Sequence, residues 1–164
     1  MDALDALRTR RSCRKFASRE VARSLVEAVV DAGRLAATAR NEQPCDFVAV
    51  TDAAARRAVA GMTEHGPFIA DAPVCIAVLA RDTKYYLEDG CAATQNLLVA
   101  ARAAGLAACW VAGDKKPYAP KVVEFLGAPP SFRLVALVAL GYSDGPLPNP
   151  PKRPLAEVLH WEKF

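Results

Sequence analysis

Three arginines, a serine and a lysine fall within Arg10-Arg11-Ser12-Cys13-Arg14-Lys15. Guanidinium groups recognise phosphate oxygens in a planar, bidentate way, and a serine hydroxyl donates one more hydrogen bond. If Arg10, Arg11, Ser12 and Arg14 converge, they form a phosphate cradle. A basic turn met alone is usually just solvated, so the reading needs support from the rest of the chain. Part of that support is local: residues 8–19 also hold Arg8 and Arg19 and no acid, which favours a single anionic partner.

A second candidate is the polar loop Ala37-Thr38-Ala39-Arg40-Asn41-Glu42-Gln43-Pro44, which leads into an apolar segment. The side-chain amides of Asn41 and Gln43 pair a donor with an acceptor, which suits the edge of a heterocycle. His65 stands alone in a turn-rich segment and reads as an ordinary loop residue. Cys13, Cys45, Cys75, Cys91 and Cys109 are odd in number and form no C-x-x-C pair. They are expected to be reduced thiols, neither a disulfide frame nor a metal cluster. With two histidines in the chain, a histidine-rich metal centre is not expected.

The elements that must position these groups follow from periodicity. Residues 2–9 predict a short helix with Ala3, Leu4 and Leu7 on one face. Ser18 is the expected N-cap of a second helix, in which Val21, Leu25, Ala28, Val29 and Ala32 repeat up to Gly33. The basic stretch would then stop just before a helix N-terminus, whose free amides favour anions. Asp46–Thr51 has strand composition, Asp52 caps a short helix over 53–60, and Gly61 to Pro73 is irregular. Pro73–Leu79 is an apolar run of strand length, buried on both faces. Lys84–Ala104 is a helix with an alanine-rich face, closed by Gly105. Leu106–Ala112 predicts a buried strand, Lys116-Pro117 opens a helix closed by Gly127, and Phe132–Leu140 is a long apolar strand.

From Pro146 the chain changes character. Prolines at 146, 148, 150, 151 and 154 impose an extended course, and Leu155–Trp161 then returns to helical spacing. Such an arm has apolar anchors but no core of its own. It is expected to pack on something else.

The 164 residues, 52% hydrophobic and 24% charged, suit one globular domain, residues 1–164, with an adequate core. A net charge of +3 and the lack of an aromatic-basic interleave argue against nucleic-acid binding. No apolar signal core or span-length run is present, so a cytoplasmic protein without membrane association is expected. G-x-G-x-x-G between strand and helix, Walker and G-x-S-x-G patterns are absent, which disfavours standard dinucleotide, P-loop and serine-hydrolase readings.

Set together, the pieces resemble the nitroreductase family of FMN-dependent oxidoreductases. Arg10-Arg11-Ser12-Cys13-Arg14-Lys15-Phe16 is similar to the family's R-R-S-x-R-x-F, and Ala36 to Pro44 to its A-P-S-x-x-N-x-Q-P loop. Asp89-Gly90, Gln95-Asn96-Leu97 and Gly105-Leu106 through Trp110-Val111 resemble its central helix and following strand. Leu140-Gly141-Tyr142 and Pro151-Lys152-Arg153-Pro154-Leu155 match its closing strand and arm. The likeness runs in order from about residue 4 to 160. Departures are Ala37 and Thr38 for the usual Pro and Ser, Cys45 for an aromatic, and a short stretch between Gly61 and Pro73.

The resemblance implies an α+β fold around a mostly antiparallel sheet, in a homodimer whose 146–164 arm packs on the partner subunit. It implies FMN as cofactor and NADH or NADPH as electron donor. Arg10, Ser12 and Arg14, assisted by Arg11, would hold the phosphate and the pyrimidine edge of the ring. Asn41 would bond the ring, with Gln43 and Pro44 lining a wall supplied by the partner. Backbone amides around Trp110, Val111 and Gly113 would face the reactive edge, and Arg153 with Lys152 would return to the phosphate. No catalytic side chain is nominated. The expected activity is ping-pong reduction of a nitroaromatic, quinone or similar electron-poor small molecule. The second reading is a flavin-binding or sensory module of the same fold with little turnover.

Overall fold

The computed structural model describes residues 1–164. Its frame is a four-stranded, wholly antiparallel sheet in the order β1-β2-β4-β3, formed by β1 (Cys45–Val50), β2 (Val74–Arg81), β3 (Ala107–Ala112) and β4 (Phe132–Gly141). The two central strands, β2 and β4, carry the uninterrupted apolar runs. Val74–Ala80 and Leu134–Leu140 are buried on both faces, as continuous runs without alternation require.

Helices cover both sides. Val26 and Val29 of α2 (Arg23–Arg34) and Leu97, Leu98 and Ala101 of α4 (Tyr86–Ala103) pack on Ile76, Val78, Val138 and Leu140. On the opposite face, Val59 of α3 (Ala53–Met62) and Val122 of α5 (Ala119–Phe125) meet Ala77, Leu79, Leu137 and Ala139. The two-residue alternation of a strand therefore sorts each central strand between two cores. The result is the expected α+β architecture.

One irregularity matters below. The β2–β4 register slips between Val78 and Leu79, which pair with Ala136 and Leu134, so Val135 is the extra residue of a bulge. Its carbonyl accepts from both Gly113 N (3.1 Å) and Asp114 N (3.2 Å), fixing the turn that leaves β3.

Asp2 and Asp52 cap α1 (Ala3–Thr9) and α3 through bonds to Asp5 N and Ala55 N, each 2.8 Å. The expected Ser18 cap does not form; α2 begins at Arg23, after Ala22, with no side-chain cap. Sheet pairing decides this: Phe16 bridges Ser143, Ala17 N donates to Tyr142 O at 2.9 Å, and the Arg19 guanidinium lies 3.8 Å from the centroid of the Tyr142 ring. These contacts hold Phe16 and Ala17 in sheet-like pairing, and the chain then bends at Ser18, with Arg19 N donating to Ala17 O at 2.8 Å. The basic stretch consequently does not abut a helix N-terminus but lies along the sheet edge.

Two further expectations change. In α1 the buried residue is Ala6, while Leu4 and Leu7 remain exposed. In the tail, the helical spacing of 155–161 yields a single 3-10 turn, Leu155–Glu157. The nearby prolines remove backbone donors, and every residue from Pro148 to Phe164 is exposed, so no apolar surface of the same chain stabilises a longer helix. Likewise α5 starts at Ala119, not at Pro117, because a turn closes first through Ala119 N to Lys116 O at 3.0 Å.

Candidate functional site

The basic stretch runs beside β3. Ser12 forms a parallel bridge with Ala108, and Cys13 N donates to Ala108 O at 3.0 Å. In that register Arg10, Ser12 and Arg14 all act on the thiol of Cys109: burial pushes it up, and Arg14, the Ser12 hydroxyl and Arg10 pull against that. Arg14 and Cys109 line one cavity, and Ser12 is bridged to Ala108, one residue before Cys109. Cys13, between Ser12 and Arg14, turns inward and is 1% exposed, while its neighbours project from the edge.

Arg11 points elsewhere. Its Nε donates to Asn149 Oδ1 at 2.8 Å, and Nη1 donates to the carbonyls of Arg8 (2.8 Å) and Arg10 (2.7 Å). It ties the beginning of the C-terminal arm to the end of α1.

Next to the cradle lies a cavity of about 230 Å³ whose lining includes Arg14, Phe68, Trp110, Val111, Lys116 and Tyr118. Arg14 sits 6.0 Å from the Phe68 ring centroid, and the Tyr118 hydroxyl donates to the carbonyl of Ala112. Glu64 and His65 close one side, with His65 Nε2 at 3.6 Å and Lys116 Nζ at 3.8 Å from Glu64 Oε2. His65, read from sequence as an ordinary loop residue, therefore borders the cavity. Lys116, Phe68 and Tyr118 carry no ligand signature in the sequence. Their signal was weak, because a lysine before a proline and an aromatic in a turn are common at surfaces.

The amides of β3 divide. Because Ala108 turns its carbonyl to Cys13, strand alternation turns Trp110 and Ala112 to the same open edge. The Gly113 amide is held inside the fold by Val135 O. A Cβ at Gly113 would lie 2.7 Å from Leu134 Cγ and 2.9 Å from the Val135 carbonyl carbon, so glycine is required by the close approach of β4.

The Asn41 loop lies at the other end of the sheet order. It opens β1, an edge strand, whereas the cradle borders β3, the opposite edge. Three strand spacings of about 4.8 Å separate these edges, so roughly 14 Å lies between them. Arg40, Asn41 and Gln43 have φ of 54°, 56° and 47°, an unusual cluster of left-handed non-glycine residues. Asn41 and Gln43 are exposed and Pro44 is buried. Cys45, just beyond, is pushed up to about 11 by burial first and Asp89 second, so it remains a neutral thiol. Lys152 and Arg153 lie on the exposed arm, where Arg153 bonds Glu157 through Nε to Oε2 (3.3 Å) and Nη2 to the carbonyl (2.8 Å). Within one chain they do not join the cradle.

Comparison with known proteins bears directly on this arrangement. The model of the nitroreductase family matches residues 7–65 and 60–142, which take in the cradle, the Asn41 loop and all four strands. The chain belongs to the nitroreductase family. This nitroreductase-family chain is 31% identical over 172 residues to a Methanothermobacter thermautotrophicus protein provisionally named an NADH dehydrogenase/NAD(P)H nitroreductase, covering 100% of this chain and 88% of that one. It superposes with a TM-score of 0.87 and 30% identity on a Desulfovibrio desulfuricans protein, provisionally named a nitroreductase and crystallised in complex with FMN, covering 100% of this chain and 98% of that one. A Bacteroides thetaiotaomicron structure matches the fold still more fully, with a TM-score of 0.93 at 24% identity over 99% and 98% of the two chains.

Proposed function

We propose that the chain is an FMN-dependent NAD(P)H oxidoreductase that works as a homodimer, with each flavin site built from both copies. The observation that carries this reading is the basic stretch docked along β3, with Ser12 bridged to Ala108 and Arg14 lining the cavity beside Cys109. Two guanidinium groups and a hydroxyl with no carboxylate among them form a donor set suited to a phosphate and to an electron-rich ring edge. Family membership and the FMN-bound relative support FMN as the group they hold.

Bound FMN supplies two-electron chemistry, accepting a hydride from a reduced nicotinamide and delivering it to an electron-poor acceptor. The residues of this chain have three tasks. Arg10, Ser12 and Arg14 bind the phosphate and the ring edge, and their positive charge favours the reduced, anionic cofactor. The edge amides of Trp110 and Ala112, with Val111 between them, would donate to the ring, and Gly113 keeps the following turn against β4. Phe68, Trp110 and Tyr118 form a wall that keeps water from one side of the cavity. No side chain is required to move a proton in the hydride step.

The second copy supplies what one chain leaves at the wrong edge: Asn41, Gln43 and Pro44 for the ring wall, and Arg153 with Lys152 for the phosphate. Arg11 assists through its hold on Asn149, where the arm departs. Exposure supports the dimer. Leu155, Val158, Leu159 and Trp161 on the arm, together with Leu4 and Leu7 on α1, are large apolar side chains left in water by the single chain, Trp161 being 77% exposed. Nitroaromatics and quinones are the acceptor class proposed.

The test is an absorbance spectrum of purified protein before and after anaerobic NAD(P)H, with Arg14→Ala alongside. Flavin bands near one per chain that bleach with nicotinamide, and are lost in the variant, are expected. A colourless protein that takes up no added FMN overturns the reading. Bands that do not bleach point instead to a flavin-binding module.

A further inference from the structure

The strained loop that carries Asn41 is gripped from two sides by opposite charges. Asp89, on the first turn of α4 and 4% exposed, accepts from Ala39 N through Oδ1 at 2.9 Å. Arg81, the last residue of β2, donates through Nη2 to the carbonyls of Glu42 (3.1 Å) and Gln43 (3.2 Å). Its own amide donates to Pro44 O at 3.0 Å. The chemistry is matched to the backbone: a carboxylate takes the amide where the loop begins, and a guanidinium supplies protons to the carbonyls where it ends. Between these grips lie Arg40, Asn41 and Gln43, all with φ between 47° and 56°.

Left-handed backbone at three non-glycine residues costs about 1 kcal/mol or more at each, so a free loop would abandon it. Bonds within the loop run from Gln43 N to Thr38 Oγ1 (3.1 Å), Asn41 N to Thr38 O (3.1 Å), Glu42 N to Ala39 O (3.0 Å) and Gln43 Nε2 to Asn41 O (3.4 Å), and none of them ties the loop to the sheet or to α4. Neither Asp89 nor Arg81 is in the cradle or the cavity lining. Burial of a carboxylate is unfavourable unless it is hydrogen-bonded, and the one bond the Asp89 carboxylate makes is to this loop, Oδ2 having no partner.

We propose that Asp89 and Arg81 are positioning residues that pre-form the Asn41 loop for its ligand, acting on flavin affinity without touching flavin. The proposal rests on the reading above that this loop meets FMN. A loop held in its bound shape loses little conformational freedom on binding, and that saving appears as affinity. Asp89 stands 50 positions from the amide it holds, and Arg81 39 and 38 positions from the carbonyls it holds, so the loop conformation depends on strand β2 and helix α4 being in register.

The test is a double-mutant cycle on the full-length protein, read as FMN dissociation constant by fluorescence quenching. Arg81 is exposed, so Arg81→Ala should fold, with thermal midpoint as the control. Arg81→Ala is expected to weaken FMN about tenfold in the wild-type background and no more than about twofold in an Asn41→Ala background, because a positioning residue has nothing left to position. An equal loss in both backgrounds, or no loss in either, overturns the proposal. A second readout needs no cofactor: in the apoprotein, amide hydrogen exchange over residues 38–44 should accelerate in Arg81→Ala and in Asp89→Ala, which removes the acceptor, while β2 and β4 stay protected. Unchanged exchange in this segment also overturns it. If the wild-type protein binds no FMN, the flavin reading fails and the exchange experiment alone decides the clamp.

Discussion

The carbonyl of Ala108 accepts the amide proton of Cys13 at 3.0 Å, and this backbone bond anchors to β3 the basic stretch that we propose as a phosphate cradle. It sets the basic stretch in register with β3, turns Cys13 into the core, and leaves Ser12 and Arg14 beside Cys109.

Arg11 and Arg14, three residues apart, should behave differently when truncated. Arg14→Ala removes a charged donor from the cradle and is expected to weaken FMN roughly 10- to 100-fold, the range for a lost hydrogen bond to a charged group. Arg11→Ala removes the hold on Asn149 and should cost FMN about threefold or less when the dimer is saturated. Fluorescence titration of both variants at high protein concentration checks this.

Gly90 of α4 lies against the bulge residue. A Cβ there would stand 2.5 Å from Val135 Cγ2, so Gly90→Ala should destabilise the fold by about 1–3 kcal/mol through overpacking. Because Val135 O holds the amides of Gly113 and Asp114, amide exchange at those two positions should accelerate as well. Urea unfolding with exchange mass spectrometry reads both effects.

Cys75 has its thiol pushed up to about 12 by burial, and Cys45 to about 11 by burial and then Asp89, from 9.0. A folded value above the unfolded one means stability that is complete below pH 9 and is lost as pH rises through the folded value. The urea midpoint should therefore fall between about pH 9 and 11, and a Cys45→Ser, Cys75→Ala protein should fall less steeply over that window. Both thiols should also resist alkylation near pH 8 while the protein is folded.

The arm offers a direct test of assembly. Trp161→Glu places a charge where an exposed indole is proposed to be covered by the partner, and it should shift the protein from dimer to monomer in sedimentation. An unchanged sedimentation coefficient would show that the arm does not hold the dimer together.

Much of this was legible in the residues. The unbroken apolar runs of β2 and β4 announced doubly covered strands, the long periodic stretch announced α4, and Asp52 capped α3 as expected. Ser18 misled because a good capping side chain says nothing about Phe16 and Ala17, whose pairing with Ser143 and Tyr142 is a contact across more than 120 positions. Local composition cannot report strand order either. Asn41 and Arg14 both read as ligand groups, but nothing in either motif reveals that one borders β1 and the other β3. Lys116 and Tyr118 follow the turn that Val135 fixes, and His65 reaches the same cavity from the segment after α3; a bulge leaves little trace in an apolar run.

That separation has a genetic consequence. If each site joins the cradle of one copy to the loop of its twin, a chain broken in Arg14 and a chain broken in Asn41 carry complementary defects. Homodimers of either have two damaged sites. A mixed dimer concentrates both lesions in one site and leaves the other whole, since a two-fold assembly pairs each edge with its opposite. Co-expressed, two inactive alleles would rescue one another to half the normal number of flavins per mixed dimer, which a defect confined to one chain's own pocket could never do.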